Sequence, residues 1–286
     1  MKIIVCVKQV PDTSGKVAVN PDGTLNRASM QTITNPDDKN AIEAALKLKD
    51  ETGCRVTAVT MGPPPAEGML RELIAMGCDD AVLISGREFG GSDTFATSQI
   101  IAAGINAIGL EKDDIVFCGR QAIDGDTAQV GPQVAEKLGM TQVTYAQEIL
   151  DVKDGKATIL RSIDGGVETV EAPLPLVVTV NGTAAPCRPQ NVRLVMKYKW
   201  ATCPSERPAD DPHAALYAER PYLTLTQWTV ADVDGDPSQC GFAGSPTRVK
   251  SVQNIVFQAK ESKTLTASDA DVEGLVQELI SEKIIG

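Results

Sequence analysis

A chain of 286 residues, 42% of them hydrophobic, is long enough to bury a full core as one large domain or as a domain with an extension. Its formal charge of -11 comes without clustered basic residues, so there is no electrostatic footprint for nucleic acid, and the acidic balance itself only favours solubility. No apolar run reaches the roughly 18 to 20 residues needed to cross a bilayer. The apolar start at Ile3 is too short for a signal-peptide core, so a cytoplasmic protein without membrane insertion is expected.

In chain order, β-branched apolar runs at 3–7, 56–60, 81–85 and 115–118 alternate with helical patterns, the form of βαβ units around a parallel sheet. The right-handed crossover rule puts helices on both faces. The first helix has Asn35 as cap, Pro36 in its first turn and Asp37 and Asp38 near its positive end. Ala41, Ile42, Ala45, Leu46 and Leu48 form its apolar stripe, and Gly53 can end it. A second helix, at about 66–76, buries Met69, Leu70, Leu73 and Ile74 and stops at Gly77. A third spans about 93–108, and a fourth runs from 127 to 138 before Gly139. The period then changes to two, at 143–149, 157–161, 167–171 and 176–180, with turns at Asp154-Gly155 and Asp164-Gly165-Gly166. This predicts antiparallel strands at an edge of the sheet. From about 201 to 247 the chain is rich in Pro, Asp, Ser and Gly and reads as an extended arm. The final amphipathic stretch, 270–285, with Val272, Leu275, Val276, Leu279, Ile280 and Ile284, either meets a partner or folds back onto its own core.

The expected fold class is therefore α/β: a mostly parallel sheet with helices on both faces, antiparallel edge strands and an extended C-terminal arm ending in a helix. Seven scattered cysteines (Cys6, Cys54, Cys78, Cys118, Cys187, Cys203 and Cys240) include no CxxC pair, which points to reduced core thiols and no metal site. The one histidine, His213, lies among Pro and Asp and is expected on an exposed loop; imidazole catalysis has no second partner. Trp200 and Trp228 read as packing residues.

The stretch from Cys118 to Gly131 leaves an apolar strand and opens a helix, the position at which an open α/β sheet holds a ligand. Gly119 and Gly125 permit close backbone approach, and Asp126 or Thr127 can cap a helix whose amides would meet a phosphate. The spacing is neither a Walker loop nor GxGxxG, so by itself it supports a nucleotide site or an ordinary turn with an Asp cap. Arg120 pairs either with a phosphate or with Asp124, and Lys8 and Lys39 are solvated charges or pocket-edge residues.

Further segments accompany this loop: Lys2-Ile3-Ile4-Val5-Cys6-Val7-Lys8-Gln9-Val10-Pro11-Asp12, Asn35-Pro36-Asp37-Asp38-Lys39-Asn40-Ala41, Thr60-Met61-Gly62-Pro63-Pro64, Phe89-Gly90-Gly91-Ser92-Asp93-Thr94, Arg161-Ser162-Ile163-Asp164-Gly165-Gly166 and Pro175-Leu176-Val177-Val178-Thr179. In this order the set resembles the β subunit of electron transfer flavoprotein from residue 1 to about 200, and more weakly through Ala243-Gly244-Ser245-Pro246-Thr247 and the last helix. The resemblance implies an α subunit carrying a redox FAD. It also implies a nucleotide pocket built from Cys6, Val7, Asn35, Pro36, Asp37, Asp38, Met61 and the loop Gly119, Arg120, Gln121, Ala122, Ile123, Asp124, Gly125, Asp126, Thr127, Ala128, Gln129 and Val130.

Within the family the pocket holds either a structural AMP or, in the electron-bifurcating type, a second FAD reduced by NADH. The chain is more similar to the bifurcating type, because Gly125, Thr127 and Ala128 are small; the 89–94 loop either borders that flavin or is a plain turn with an Asp93 cap. On this resemblance no side chain is catalytic, since the cofactor carries the chemistry. Electrons would pass to ferredoxin or flavodoxin and, through the α-subunit FAD, to a flavin dehydrogenase of the acyl-CoA dehydrogenase kind. Residues 1–200 would form the nucleotide- and flavin-binding domain. Within it, 181–199 resembles the family's recognition loop, with Val192 at the anchoring position; the alternative is a surface helix with Val192 and Leu194 turned inward. Residues 201–286 would contact the α subunit. A stand-alone adenine-nucleotide-binding regulator is the reading from another class, and the arm and terminal helix, which ask for a partner, count against it.

Overall fold

The computed structural model describes residues 1–12, 31–248 and 262–285. They belong to two units, Met1–Arg248 and Val249–Gly286. The first unit begins with β1 (Lys2–Cys6), β2 (Gln9–Pro11), β3 (Thr32–Thr34), α1 (Pro36–Thr52), β4 (Arg55–Met61), α2 (Glu67–Met76) and β5 (Asp80–Ile84). Next come α3 (Thr94–Ile108), β6 (Ile115–Gly119), α4 (Val130–Leu138), β7 (Thr141–Lys153), β8 (Lys156–Ile163), β9 (Gly166–Pro173) and β10 (Leu176–Val180). It closes with α5 (Val192–Lys197), α6 (Ala214–Glu219), β11 (Thr226–Trp228) and α7 (Gly241–Gly244).

Nine strands form one sheet in the order β11-β5-β4-β1-β6-β10-β7-β8-β9. Pairing is parallel from β11 to β7, and β7, β8 and β9 continue as antiparallel hairpins. In β1 the two-residue period sorts an unbroken apolar run into two layers. Ile3 and Val5 pack with Ile42, Leu46, Leu70 and Leu73 of α1 and α2, while Ile4 and Cys6 pack with Ile100, Ile105 and Val134 of α3 and α4. From β1 the chain proceeds to β4 and β5 on one side, then β6 returns to the other side of β1. That reversal makes the carboxyl ends of β1 and β6 the switch point of the sheet, where ligands bind in open α/β folds.

Three features differ from the sequence expectations. β10 lies inside the sheet, parallel to both β6 and β7, and not among the antiparallel edge strands; all five of its residues are buried, as befits a strand covered on both faces. α4 opens at Val130, after residues 127–129. The compact unit also continues beyond 200: β11 pairs with β5, and Ala201, Cys203, Leu223 and Leu225 are buried in the core, so the chain read as an arm packs back as far as Arg248. Residues 249–261 of that expected arm lie outside the described residues. His213 is half-buried instead of exposed, stacked 4.1 Å from the ring of Trp200, and Trp228 packs against the α3/α4 layer. All seven cysteines are free thiols.

In the second unit, α8 (Asp269–Ser281) is capped by Ser268, whose Oγ accepts the Asp271 N–H at 3.3 Å. Val272, Leu275, Val276 and Ile280 are exposed along it. Among the described residues no helix is long and apolar enough to cross a membrane, and no group of three His, Cys, Asp or Glu side chains is suited to a metal ion.

Candidate functional site

A cleft of about 330 Å³ opens at the β1/β6 switch point. Cys6 and Cys118, register partners on the two strands, form part of its floor with Val7, and Met61 at the end of β4 lines it too. The hydrogen bond with Cys6, together with burial, pushes the Cys118 thiol well above its ordinary range, so it stays protonated.

Asp38, in the first turn of α1, is buried at the base of the cleft. One carboxylate oxygen accepts the Lys8 N–H at 2.8 Å and the other accepts the Gly119 N–H at 3.1 Å, so this side chain ties together the ends of β1, β6 and the start of α1. Burial raises its pKa from the ordinary 3.8 to about 7, against the lowering effect of those two backbone donors and of the Asn35 side chain. Gly119 is required by this packing: a Cβ there would stand 2.6 Å from the Asp38 nitrogen and 2.7 Å from the Asp37 carbonyl carbon. At the opposite wall Gly131 lets α4 approach β10, where a Cβ would lie 2.6 Å from Thr179 Cγ2.

Of the residues expected to form a pocket, Cys6, Val7, Asp38, Met61, Gly119, Arg120, Gln121, Ala122, Gly125, Asp126, Thr127, Ala128, Gln129 and Val130 converge on this cleft. Asn35, Pro36, Asp37, Ile123 and Asp124 do not line it; all but Pro36 brace the loop from behind. Asn35 sits at the cap position of α1 but makes no cap bond; its side chain donates to the Gln121 carbonyl at 2.8 Å and accepts the Ile123 N–H at 3.1 Å. Asp124 pairs with Lys8 at 2.8 Å, and Arg120 pairs with Asp37 at 3.2 Å, which replaces the expected Arg120–Asp124 alternative. Such partly exposed pairs add little stability, about 0 to 1 kcal/mol each, but they fix where the loop runs.

Neither Asp126 nor Thr127 caps α4. Its cap residue is Gln129, with no side-chain cap bond, and Asp126 instead accepts from Gln121 Nε2 at 2.8 Å. Gly125 is likewise not in the left-handed region; Asp126 (φ 51°) and Ala128 (φ 52°) are. Left-handed backbone at a residue with a Cβ costs about 1 to 2 kcal/mol, a strain that accumulates at ligand loops. A Cβ on Gly125 would meet nothing within 4 Å, so that position faces open space.

Ser92, Asp93 and Thr94 border the cleft together with Thr97 and Ile101. Asp93 caps α3 through Ala96 N–H at 3.0 Å and accepts the Thr247 hydroxyl at 2.7 Å, tying the end of the first unit to the rim. Cys118 and Gly131, the two ends of the stretch singled out in the sequence, line the cleft as well, whereas Thr97 and Ile101 escaped the sequence reading. Thr97 and Ile101 follow at one-turn spacing on the helix that Asp93 caps, which was the available signal. Away from the cleft, Val192 is 75% exposed and Leu194 half-buried, so only the second of this pair turns inward.

The chemistry of this donor set suits a nucleotide. The positive end of α4 is without a side-chain cap, its approach is lined by Gly125, Thr127 and Ala128, and the apolar floor admits a flat ring.

Comparison with known proteins agrees with the fold. The electron transfer flavoprotein domain matches residues 22–200. The "Acryloyl-CoA reductase electron transfer subunit gamma" of Anaerotignum propionicum is 69% identical over 180 residues, covering 63% of this chain and 67% of that protein. The electron transfer flavoprotein subunit beta of Clostridium acetobutylicum is 45% identical over 251 residues, 87% of this chain and 86% of its own. The "Caffeyl-CoA reductase-Etf complex subunit CarD" of Acetobacterium woodii is 44% identical over the same coverage. With its parallel sheet, its switch-point cleft and relatives spanning most of its length, the chain belongs to the electron transfer flavoprotein family as a β subunit, and its role lies in electron transfer.

Proposed function

We propose that the β1/β6 cleft holds FAD, and that the chain works with an α subunit carrying a second FAD. A flavin in this cleft would accept a hydride from NADH and release its electrons one at a time, one toward ferredoxin or flavodoxin and one through the α-subunit FAD to a flavin dehydrogenase. The observation that carries this reading is the loop from Gly125 to Ala128, where small side chains and open space in front of Gly125 lead to the uncapped start of α4.

In this reading the α4 amides receive the diphosphate, Cys6, Val7 and Met61 pack against a ring, and the Ser92–Thr94 rim borders the exit. Lys8 and Arg120, held by Asp124 and Asp37, keep the loop in place. No side chain of this chain transfers a proton in the electron step; the protein supplies position, exclusion of water and electrostatics. The relatives named as an electron transfer subunit of acryloyl-CoA reductase and as a subunit of a caffeyl-CoA reductase-Etf complex support a dehydrogenase or reductase of CoA thioesters as the partner, docked through the exposed Val192 of α5.

A second reading, with a structural AMP in the cleft, is favoured by one observation: about 330 Å³ lies at the small end of the range for ligand pockets. Acid extraction of the purified αβ complex followed by chromatography separates the two. Two FAD per heterodimer is the expected result; one FAD with one AMP selects the second reading, and a single FAD with no other nucleotide overturns both.

A further inference from the structure

α5 is a helix that its own sequence does not explain. It has six residues, none of them buried, and helices this short do not persist in water. Val192, Val195 and Met196 share one face, at i, i+3 and i+4, and are 75%, 38% and 64% exposed. The helix lies against α2 with only Leu194 turned inward, and polar contacts fix both of its ends. Before it, the Arg188 guanidinium bonds the buried Glu43 of α1 through Nε at 3.0 Å and Nη2 at 3.0 Å and also reaches Asp50 at 2.9 Å, while the Arg188 N–H donates to Glu43 at 2.8 Å. Asn191 N–H donates to the Ala75 carbonyl of α2 at 2.8 Å, and its side chain caps α5 through Arg193 N–H at 2.9 Å. After it, Arg71 of α2 donates to the Ala201 carbonyl at 2.8 Å and pairs with Glu67, whose carboxylate also accepts the Cys203 N–H at 2.7 Å.

We infer that two Arg–Glu clamps, Arg188–Glu43 at one end and Arg71–Glu67 at the other, hold α5 in a fixed pose so that its apolar face is presented ready-made to the dehydrogenase, with Arg188 and Glu43 as positioning residues. The inference rests on the reading of Val192 as a docking residue. The physical reason is that a helix ordered in advance spares the complex the entropy of ordering it on contact. Neither Arg188 nor Glu43 lines the β1/β6 cleft, and the buried carboxylate of Glu43 is matched by a planar, bidentate cation.

The test uses the αβ heterodimer reduced with dithionite and reoxidised by an acyl-CoA dehydrogenase, so that it does not depend on NADH. Arg188→Gln and Glu43→Gln, and their combination, are expected to raise the KM for the dehydrogenase about ten-fold, with kcat and flavin content unchanged and with faster hydrogen exchange of the amides of 191–198. Arg188→Lys, which keeps charge but not the bidentate fork, should fall between wild type and Arg188→Gln, and it serves as the probe if Arg188→Gln does not fold. Unchanged exchange would show that the clamp does not hold the helix, and faster exchange with unchanged KM would show that pre-ordering is irrelevant to docking. Loss of flavin in step with KM would make the pair merely structural; each of these overturns the inference. Val192→Ala separates it from the reading beneath: if Val192→Ala raises KM and the clamp variants do not, only the positioning role fails, and if Val192→Ala also has no effect, docking through α5 itself fails.

Discussion

Asp38 makes stability depend on pH in a direction opposite to that of most carboxylates. Its pKa rises from 3.8 to about 7 on folding, so between these values the native chain holds a proton that the unfolded chain has released. Fewer protons are bound by the unfolded state, and stability therefore falls as pH rises through this window, then levels off above it. About three units at 1.36 kcal/mol each put the full effect on the order of 4 kcal/mol. Asp38→Asn isolates it. The amide oxygen still accepts one of the two backbone donors, Lys8 N–H or Gly119 N–H, and leaves the other facing an NH₂, a pH-independent cost of about 1 to 3 kcal/mol. Denaturant unfolding of both proteins from about pH 4 to about pH 8 cancels the titration of all other groups in the difference. Wild type is expected to be the more stable at the acid end and to lose several kcal/mol relative to Asp38→Asn by the alkaline end. A difference that is flat, or that grows in favour of wild type with pH, would refute the argument that burial outweighs the two backbone donors.

Gly119→Ala forces the first turn of α1 away from β6 and should destabilise by about 1 to 3 kcal/mol, read from the unfolding midpoint; an unchanged midpoint would mean the two elements are not in contact as described. Gly125→Leu should leave stability within about 0.5 kcal/mol, because nothing lies within 4 Å of the new Cβ, while lowering nucleotide content; full nucleotide content would place the ligand elsewhere. Val192→Ala removes two methyl groups at an exposed contact, about 1 to 2 kcal/mol at most, and should slow reoxidation by the dehydrogenase but not reduction by NADH in stopped-flow traces. Deletion from Ser268 onward removes the exposed stripe of Val272, Leu275, Val276 and Ile280 and should weaken α-subunit binding without moving the unfolding midpoint of the first unit; equal affinity in a titration would remove α8 from that interface.

Local signals made much of this fold legible. Pro36, the two aspartates after it and Gly53 delimit α1 because helix ends are governed by backbone groups within a few residues. The placement of β10 was misread because it follows two hairpins in sequence; its unbroken Leu-Val-Val-Thr-Val run carries the mark of a strand buried on both faces, but neighbouring alternation obscured it. In the cleft, residue types were readable and partners were not. Asn35 looked like a cap, yet the loop 86 residues away competes for its amide, and Arg120 found Asp37 instead of the nearer Asp124. Such choices are made by tertiary packing, which no short window contains. The strained backbone at Asp126 and Ala128 went unseen for the same reason: glycine is where left-handed conformation is expected, and here it falls on its neighbours.

The ninth strand bears on what the family's shared region can do by itself. The domain match ends at residue 200, but the sheet does not: β11 covers the outer edge of β5, Trp228 accepts the Ser85 N–H at 2.9 Å, and Leu223 and Leu225 close the layer beneath. β5 has four consecutive buried residues, Ala81 to Ile84, with no charge among them. A chain ending at 200 would present that strand as a bare, flat, apolar template, the kind of edge that recruits a second copy and leads to aggregation. The segment that read as an extended arm is thus the sheet's own edge guard, supplied from beyond the boundary of the shared domain.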